Sequence, residues 1–135
     1  MLTRHQIDMS EIQVTTEISC ENNVLMSRTE LQQVVVNLIL NALYAMPERG
    51  RLTLSVQDED SGVVIKVDDT GKGIEPSVLK RIFDPFFTTK QAEGTGLGLS
   101  ISQTLISRAG GQITATSAPG QGSRFRVWLP RAVSE

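Results

Sequence analysis

The run from Ser27 to Met46, SRTELQQVVVNLILNALYAM, constrains the fold of this chain more than any other stretch. Ser27 and Glu30 stand at capping-box spacing, where each side chain can satisfy an orphan amide at the start of a helix. The spacing predicts a helix from about residue 28 to 46. At about 100° per residue, Leu31, Val34, Val35, Leu38, Ile39, Ala42 and Ala45 share one broad face, the pattern of a helix laid against a core. Val36, Leu40 and Leu43 fill another sector. Between the two runs a narrow polar stripe of Glu30, Gln33, Asn37, Asn41 and Tyr44. Asparagine is a poor helix former in mid-helix, so amides placed there ask for a partner.

Strands that could lie under such a helix follow from period-two alternation. EIQVTTEIS places Ile12, Val14, Thr16 and Ile18 on one side, as a half-buried strand would. LTLSVQ and VVIKVDD alternate around DEDSG, a turn composition, and QITATS and SRFRVWL alternate around APGQG, with Phe125, Val127 and Leu129 on one face. SVLKRIF reads as a short helix opened by Pro76. Leu97, Ile101, Leu105 and Ala109 recur every four residues in a further helix that Gly110 and Gly111 stop. The fold class expected is α+β, a two-layer sandwich. Its sheet of about five strands is mixed but mostly antiparallel, with about three helices on one face.

A chain of 135 residues supports one core, since folding at this size buries roughly two-thirds of the unfolded surface. The reading is one domain over 1–135, with its core at about 12–130. Thirteen basic side chains against 15 acidic ones leave a net charge of -2, which speaks against a nucleic-acid binder held by general electrostatics. The apolar run VVVNLILNALYAM is broken by two asparagines and is too short to span a bilayer of roughly 30 Å. The start of the chain, polar from Thr3 onward, does not read as a signal peptide. The single cysteine, Cys20, cannot close an intrachain disulfide and lacks a C-x-x-C neighbour, which reads as a structural residue in a reducing cytosol.

Three constellations could carry chemistry. In VDDTGKGI, Asp69 continues the core side of Val63, Ile65 and Val67 while Asp68 points the other way. An ionised carboxylate turned inward needs a specific donor, and the exocyclic amine of a purine would serve. Gly71 and Gly73 allow the backbone to turn sharply and approach a flat ligand. The alternative on these residues alone is that this is only a turn. In GTGLGLS, Gly94, Gly96 and Gly98 precede a helix, where exposed amides can bind anions. It fails the dinucleotide fingerprint because Leu99 occupies the sixth position, and a plain glycine-rich loop remains open. Finally, Asn37 and Asn41 stand at i, i+4, and neutral amide oxygens suit Mg²⁺, which favours hard ligands and often shares phosphates. A helix face bonded to neighbouring backbone is the alternative there.

Together and in order, these stretches resemble the ATP-binding domain of the GHKL superfamily, specifically the catalytic domain of bacterial two-component sensor histidine kinases. ELQQVVVNLILNALYAM is similar to the N box, DDTGKGI to the first glycine box, IFDPFFTTK to the F box and GTGLGLSIS to the second glycine box; GQGSRFRVWLP resembles the closing strand. The resemblance covers roughly Ile12 to Pro130. It implies ATP held between helices and sheet under a mobile lid at about 84–98. Asn41 would bind Mg²⁺, Asn37 would order the phosphate–metal region, and the two make the catalytic pair. Asp69 would accept from the adenine amine, with Gly71, Gly73, Ile74 and Ser123 around the base. Gly94, Thr95, Gly96, Leu97, Gly98 and Leu99 would lie toward the phosphates, with Lys90 and Phe87 contributed by the lid and F box. Tyr44 stands where many members have Lys, Arg or His, a base that a nitrogen-regulation-like subgroup also lacks. Gyrase-like ATPases have a general-base Glu where this chain has Asn37, which fits transfer to a protein better than activation of water.

Nothing around His5, the one histidine, resembles the family's phosphoacceptor pattern, so His5 is expected to be a surface residue. The acceptor would lie on a dimerisation domain of the same kinase, absent from this sequence, with a response regulator downstream. The domain is expected to be cytoplasmic, not itself membrane-embedded, and monomeric in isolation, whether or not the parent kinase is membrane-anchored. Two alternatives remain: a standalone anti-sigma-factor-type serine kinase, and a degenerate nucleotide-binding module without transfer activity. Phe83, Phe86 and Phe87 are expected to form an apolar latch beside the lid.

Overall fold

The computed structural model describes residues 11–20, 23–46, 48–85 and 98–132. The helix expected from the capping box is α1 (Arg28–Tyr44), whose N-cap Ser27 accepts from the Glu30 amide at 3.4 Å. It stops two residues short of the expectation. The Ala45 amide still reaches back to Asn41 O, but the Met46 amide bonds Leu43 O, a tighter i−3 turn. Pro47 follows, and a residue before proline is disfavoured in the α region. Val34, Leu38 and Ala42 are buried, and Leu31, Ile39 and Leu43 pack partly against the core. The remaining apolar sector is not covered in the same way: Val36 is 51% and Leu40 46% exposed.

Five strands follow the alternation: β1 (Ile12–Ser19), β2 (Gly50–Glu59), β3 (Gly62–Asp69), β4 (Gln112–Ser117) and β5 (Ser123–Pro130). They form one sheet in the order β1-β2-β3-β5-β4. Among the described strands only β1 and β2 pair in parallel, and a parallel pair needs a long crossover, which α1 provides. β2 and β3 close a hairpin in which Asp60 takes φ 51°, a left-handed conformation that aspartate tolerates in turns. The core row reads directly from the register of β3 on β5: Val63 faces Leu129, Ile65 faces Val127 and Val67 faces Phe125. All six are buried. The next pair along that row is Asp69 and Ser123, so the apolar row ends in two polar side chains at the same edge of the core.

Between β3 and β4 lie α2 (Pro76–Leu79), a single turn with proline in its first turn, and α3 (Gly98–Arg108). Phe83 packs partly against the core and meets Phe125 edge-on, with ring centroids 6.5 Å apart. Phe86, Phe87 and the stretch expected to be the lid lie, apart from its ends, outside the described residues.

Two expectations are corrected. β1 is a strand, but it is not half-buried: Ile12 is covered, whereas Val14 is 50% and Ile18 68% exposed. The reason is position. β1 is the edge strand away from α3, and Ile12 is its one residue in the core cluster; the opposite edge strand, β4, contributes Ile113 because α3 packs against it. In α3 the inward stripe is not the four-residue repeat. Ser102, Leu105 and Ile106 are buried while Ile101 is exposed, because a strict four-residue repeat drifts about 40° per step around a helix of 3.6 residues per turn.

Candidate functional site

At one end of the core row, Asp69 is 6% exposed. Its Oδ1 accepts from the Gly71 amide at 2.8 Å, while Oδ2 is buried and has no hydrogen-bond partner among the described residues. A buried carboxylate oxygen without a donor costs free energy. Burial accordingly pushes the carboxyl above its ordinary pKa; the Gly71 and Ser123 amides pull against that, and neighbouring Asp68 adds to the rise. Asp68 itself points to the opposite face, as alternation requires, and takes the Arg124 guanidinium.

The loop after Asp69 is held at both ends. The Lys72 amide donates to Ala45 O at the end of α1 (3.1 Å), and Lys72 O accepts from the Gly120 amide in the β4–β5 turn (2.7 Å). A side chain at Gly71 would run into the Ala45 carbonyl, and Gly73, at φ 79°, leaves no room for one beside the Ala118 carbonyl. Both glycines therefore serve close backbone approach. The Ile74 amide donates to Ser117 Oγ at 2.8 Å. Ser117 also bonds Gly122 O and Ser123 Oγ, both at 2.8 Å. A carbonyl can only accept, so Ser117 gives its proton to Gly122 and Ser123 donates to Ser117. Ser123 Oγ thus keeps an acceptor lone pair beside Asp69.

The second centre lies on α1. Asn37 Nδ2 donates to Gly98 O and to Ser102 Oγ, each at 3.2 Å. With both amide hydrogens engaged, Oδ1 is left as an acceptor that bonds no described residue. Asn41, half-buried, repeats the amide one turn on. From Asn37 to Ala45, where the Asp69 loop touches α1, eight residues of helix span about 12 Å. The loop after Asp69 thus meets the same helix that carries the amide side chains of Asn37 and Asn41.

The structure therefore gathers Asp69, Gly71, Gly73, Ile74 and Ser123 at one end and Asn37 and Gly98 at the other. Leu99 is half-buried and packs on the core, and Tyr44 is 46% exposed at the last turn of α1. Phe87, Lys90, Gly94, Thr95, Gly96 and Leu97 lie outside the described residues. Two residues of the arrangement carry no sequence signal of their part in it. Ser117 ends an alternating strand, and its bond to a loop 43 positions away leaves no local pattern. Ser102 is hidden by the four-residue repeat, although the i, i+3, i+4 set of Ser102, Leu105 and Ile106 would have placed it inward. Cys20, expected to be structural, donates to Asp58 Oδ1 at 3.4 Å.

Residues 26–133 match the family described as histidine kinase-, DNA gyrase B-, and HSP90-like ATPase. The chain is 50% identical over 103 residues to the sensor histidine kinase ZraS of Salmonella typhimurium, a match covering 74% of this chain and 22% of ZraS. It thus spans about a fifth of the length of that curated relative. Among solved structures, the catalytic domain of the histidine kinase ThkA superposes with a TM-score of 0.81 at 34% identity, over 94% of this chain and 85% of that one. ThkA in complex with the response regulator protein TrrA gives 0.76 at 31% identity, over 95% and 36% of the two chains. Full-length ShkA in complex with AMPPNP gives 0.82 at 30%, over 95% and 27%. The chain belongs to the histidine kinase-, DNA gyrase B- and HSP90-like ATPase family, as an ATP-binding catalytic domain of the sensor histidine kinase kind.

Proposed function

We propose that this domain holds ATP with its base against Asp69 and its phosphates against the Asn37–Asn41 face, and presents the γ-phosphoryl group to a histidine on a dimerisation domain of the same kinase. The observation that carries this reading is Asp69 Oδ2, buried at the end of the core row with no donor among the described residues. An adenine amine would supply the missing hydrogen bond. Ser123 Oγ offers an acceptor beside it, and Gly71 and Gly73 keep the loop backbone close enough for a flat ring. AMPPNP bound to ShkA supports the same nucleotide class.

Asn41, with Asn37 beside it, would hold Mg²⁺ through neutral amide oxygens. The fit lies in the donor set: Asn37 Nδ2 is engaged by two protein acceptors while Oδ1 bonds no described residue, and hard oxygen donors suit this ion, which takes few protein ligands and completes its shell with phosphates and water. The bound ion would neutralise charge on the phosphates during transfer. Asn37 in place of a carboxylate leaves no base there to activate water, which favours transfer to an imidazole over hydrolysis. In the transfer the imidazole nitrogen bonds the γ-phosphorus as the bond to the β-γ bridging oxygen breaks, and ADP leaves. The phosphoryl group would pass to a response regulator, the partner class seen with ThkA. The domain would act in the cytoplasm and be monomeric in isolation.

Asp69→Asn tests the pocket. Calorimetry is expected to show ATP binding abolished or strongly weakened with the far-ultraviolet dichroism unchanged; undiminished affinity would overturn the assignment. The transfer step is tested by mixing the domain with a separate histidine-bearing helical domain and radiolabelled ATP. Acid-labile phosphate on the partner is expected, whereas acid-stable phosphoserine would point to a serine kinase.

A further inference from the structure

We propose that Ser102 is a positioning residue for the metal–phosphate end of the pocket, acting through Asn37. This rests on the nucleotide reading above.

Ser102 is 0% exposed and sits in the inward stripe of α3 beside Leu105 and Ile106. A hydroxyl buried among aliphatic side chains is costly unless it is bonded, and alanine would pack there at no such cost. What the hydroxyl does in this structure is accept from Asn37 Nδ2, 65 positions away in sequence, at 3.2 Å. The direction of the Asn37 amide does not depend on a choice of rotamer label. Its other contact is the Gly98 carbonyl, which can only accept, so the NH₂ group must lie on the α3 side. Gly98 and Ser102, one turn apart on α3, then consume both amide hydrogens. The carboxamide plane is fixed by two bonds rather than one, and Oδ1 is left as the acceptor that bonds no described residue.

Without the Ser102 acceptor, the single Gly98 bond leaves the amide free to swing about its own axis, and Oδ1 loses its fixed aim. A neighbour that orients a ligand-bearing side chain in this way acts on the metal-dependent part of binding and not on the base end. Asp69 and its loop touch neither Ser102 nor Asn37 through any hydrogen bond of the described residues.

The test is ADP binding to the purified domain by calorimetry, with Mg²⁺ and with a chelator. In the wild-type domain Mg²⁺ is expected to strengthen binding. In Ser102→Ala that enhancement is expected to fall about tenfold or more, with metal-free affinity within about twofold of wild type. In an Asn37→Ala background, adding Ser102→Ala is expected to cost nothing further. Retention of the full enhancement, an equal loss with and without metal, or an undiminished loss in the Asn37→Ala background would each overturn the proposal. Should Ser102→Ala fail to fold, Ser102→Cys replaces the hydroxyl with a weaker acceptor of similar size, and an intermediate enhancement is expected; a wild-type enhancement counts against the proposal.

A readout without nucleotide separates this inference from the reading it rests on. In the ligand-free wild-type domain, the Asn37 side-chain amide protons are expected to be shifted and slow to exchange in nitrogen-edited NMR spectra. Solvent-like, rapidly exchanging signals would overturn the positioning role. If the wild-type domain binds no ADP under either condition while those protons are protected, the nucleotide reading fails and the orientation of Asn37 by Ser102 stands.

Discussion

Asp69 is held in a conflict that its neighbours resolve only in part. One oxygen has the Gly71 amide and the other is buried without a partner among the described residues, and burial outweighs the Gly71 and Ser123 amides to raise the carboxyl pKa above its ordinary value. Over the interval between those two values the folded protein holds a proton that the unfolded chain releases. Stability therefore falls as pH rises through that window and is flat above it. Asp69→Asn removes the titration, so urea unfolding of the two proteins across acidic pH is expected to show a downward slope with rising pH in the wild type that the variant lacks. Parallel profiles would show that Asp69 titrates normally. Nucleotide binding has the opposite dependence, since an amine donates best to the ionised carboxylate. ATP affinity is expected to weaken as the medium is acidified through the raised pKa. A residue that costs stability and favours ligand is the usual mark of a binding site. Asp69 was legible in the sequence because the alternation of β3 carries it inward with Val63, Ile65 and Val67; the lack of a partner for Oδ2 was not, because it depends on what the rest of the fold fails to bring there.

At the scale of elements, what was legible depends on how strongly the period is written. α1 is framed by a cap at Ser27 and by Pro47, with apolar positions at i, i+3 and i+4, and it forms where expected. β3 and β5 pair so that Val63, Ile65 and Val67 meet Leu129, Val127 and Phe125, the register their core faces demand, although Val64 on the other face of β3 is buried as well. α3 is different: its leucines and isoleucines admit two stripes, and only packing against α1 and β4 selects Ser102, Leu105 and Ile106 over Ile101. β1 shows the converse limit, since alternation states which side is apolar and not whether a helix reaches it. The α3 register makes a direct prediction. Ile106→Ala, at a residue with no exposed surface, is expected to cost about 2–5 kcal/mol in urea unfolding. Ile101→Ala, at an exposed position, is expected to cost less than about 1 kcal/mol. Equal losses would return α3 to the four-residue stripe and, with it, remove Ser102 from contact with Asn37.

The whole molecule places its two centres on elements that do not adjoin in sequence. Asn37 comes from α1, its anchors from α3, Asp69 from the end of β3, and Ser117 and Ser123 from either side of the β4–β5 turn. A nucleotide held at both ends would tie the helical layer to the sheet, so its binding must appear as global stability and not as the ordering of one loop. Ligand at a hundred times its dissociation constant adds about 2.7 kcal/mol to a fold that alone can bind it. For a domain of this size, each kcal/mol moves the midpoint by roughly 3–5 °C, interpolating between smaller and larger proteins. Scanning fluorimetry with ATP and Mg²⁺ at that excess is therefore expected to raise Tm by about 8–13 °C. The Asp69→Asn variant at the same concentrations is expected to show almost none of this shift. A large shift that survives Asp69→Asn would place the nucleotide elsewhere on the molecule, because Asp69 Oδ2 is the one buried side-chain acceptor without any partner among the described residues.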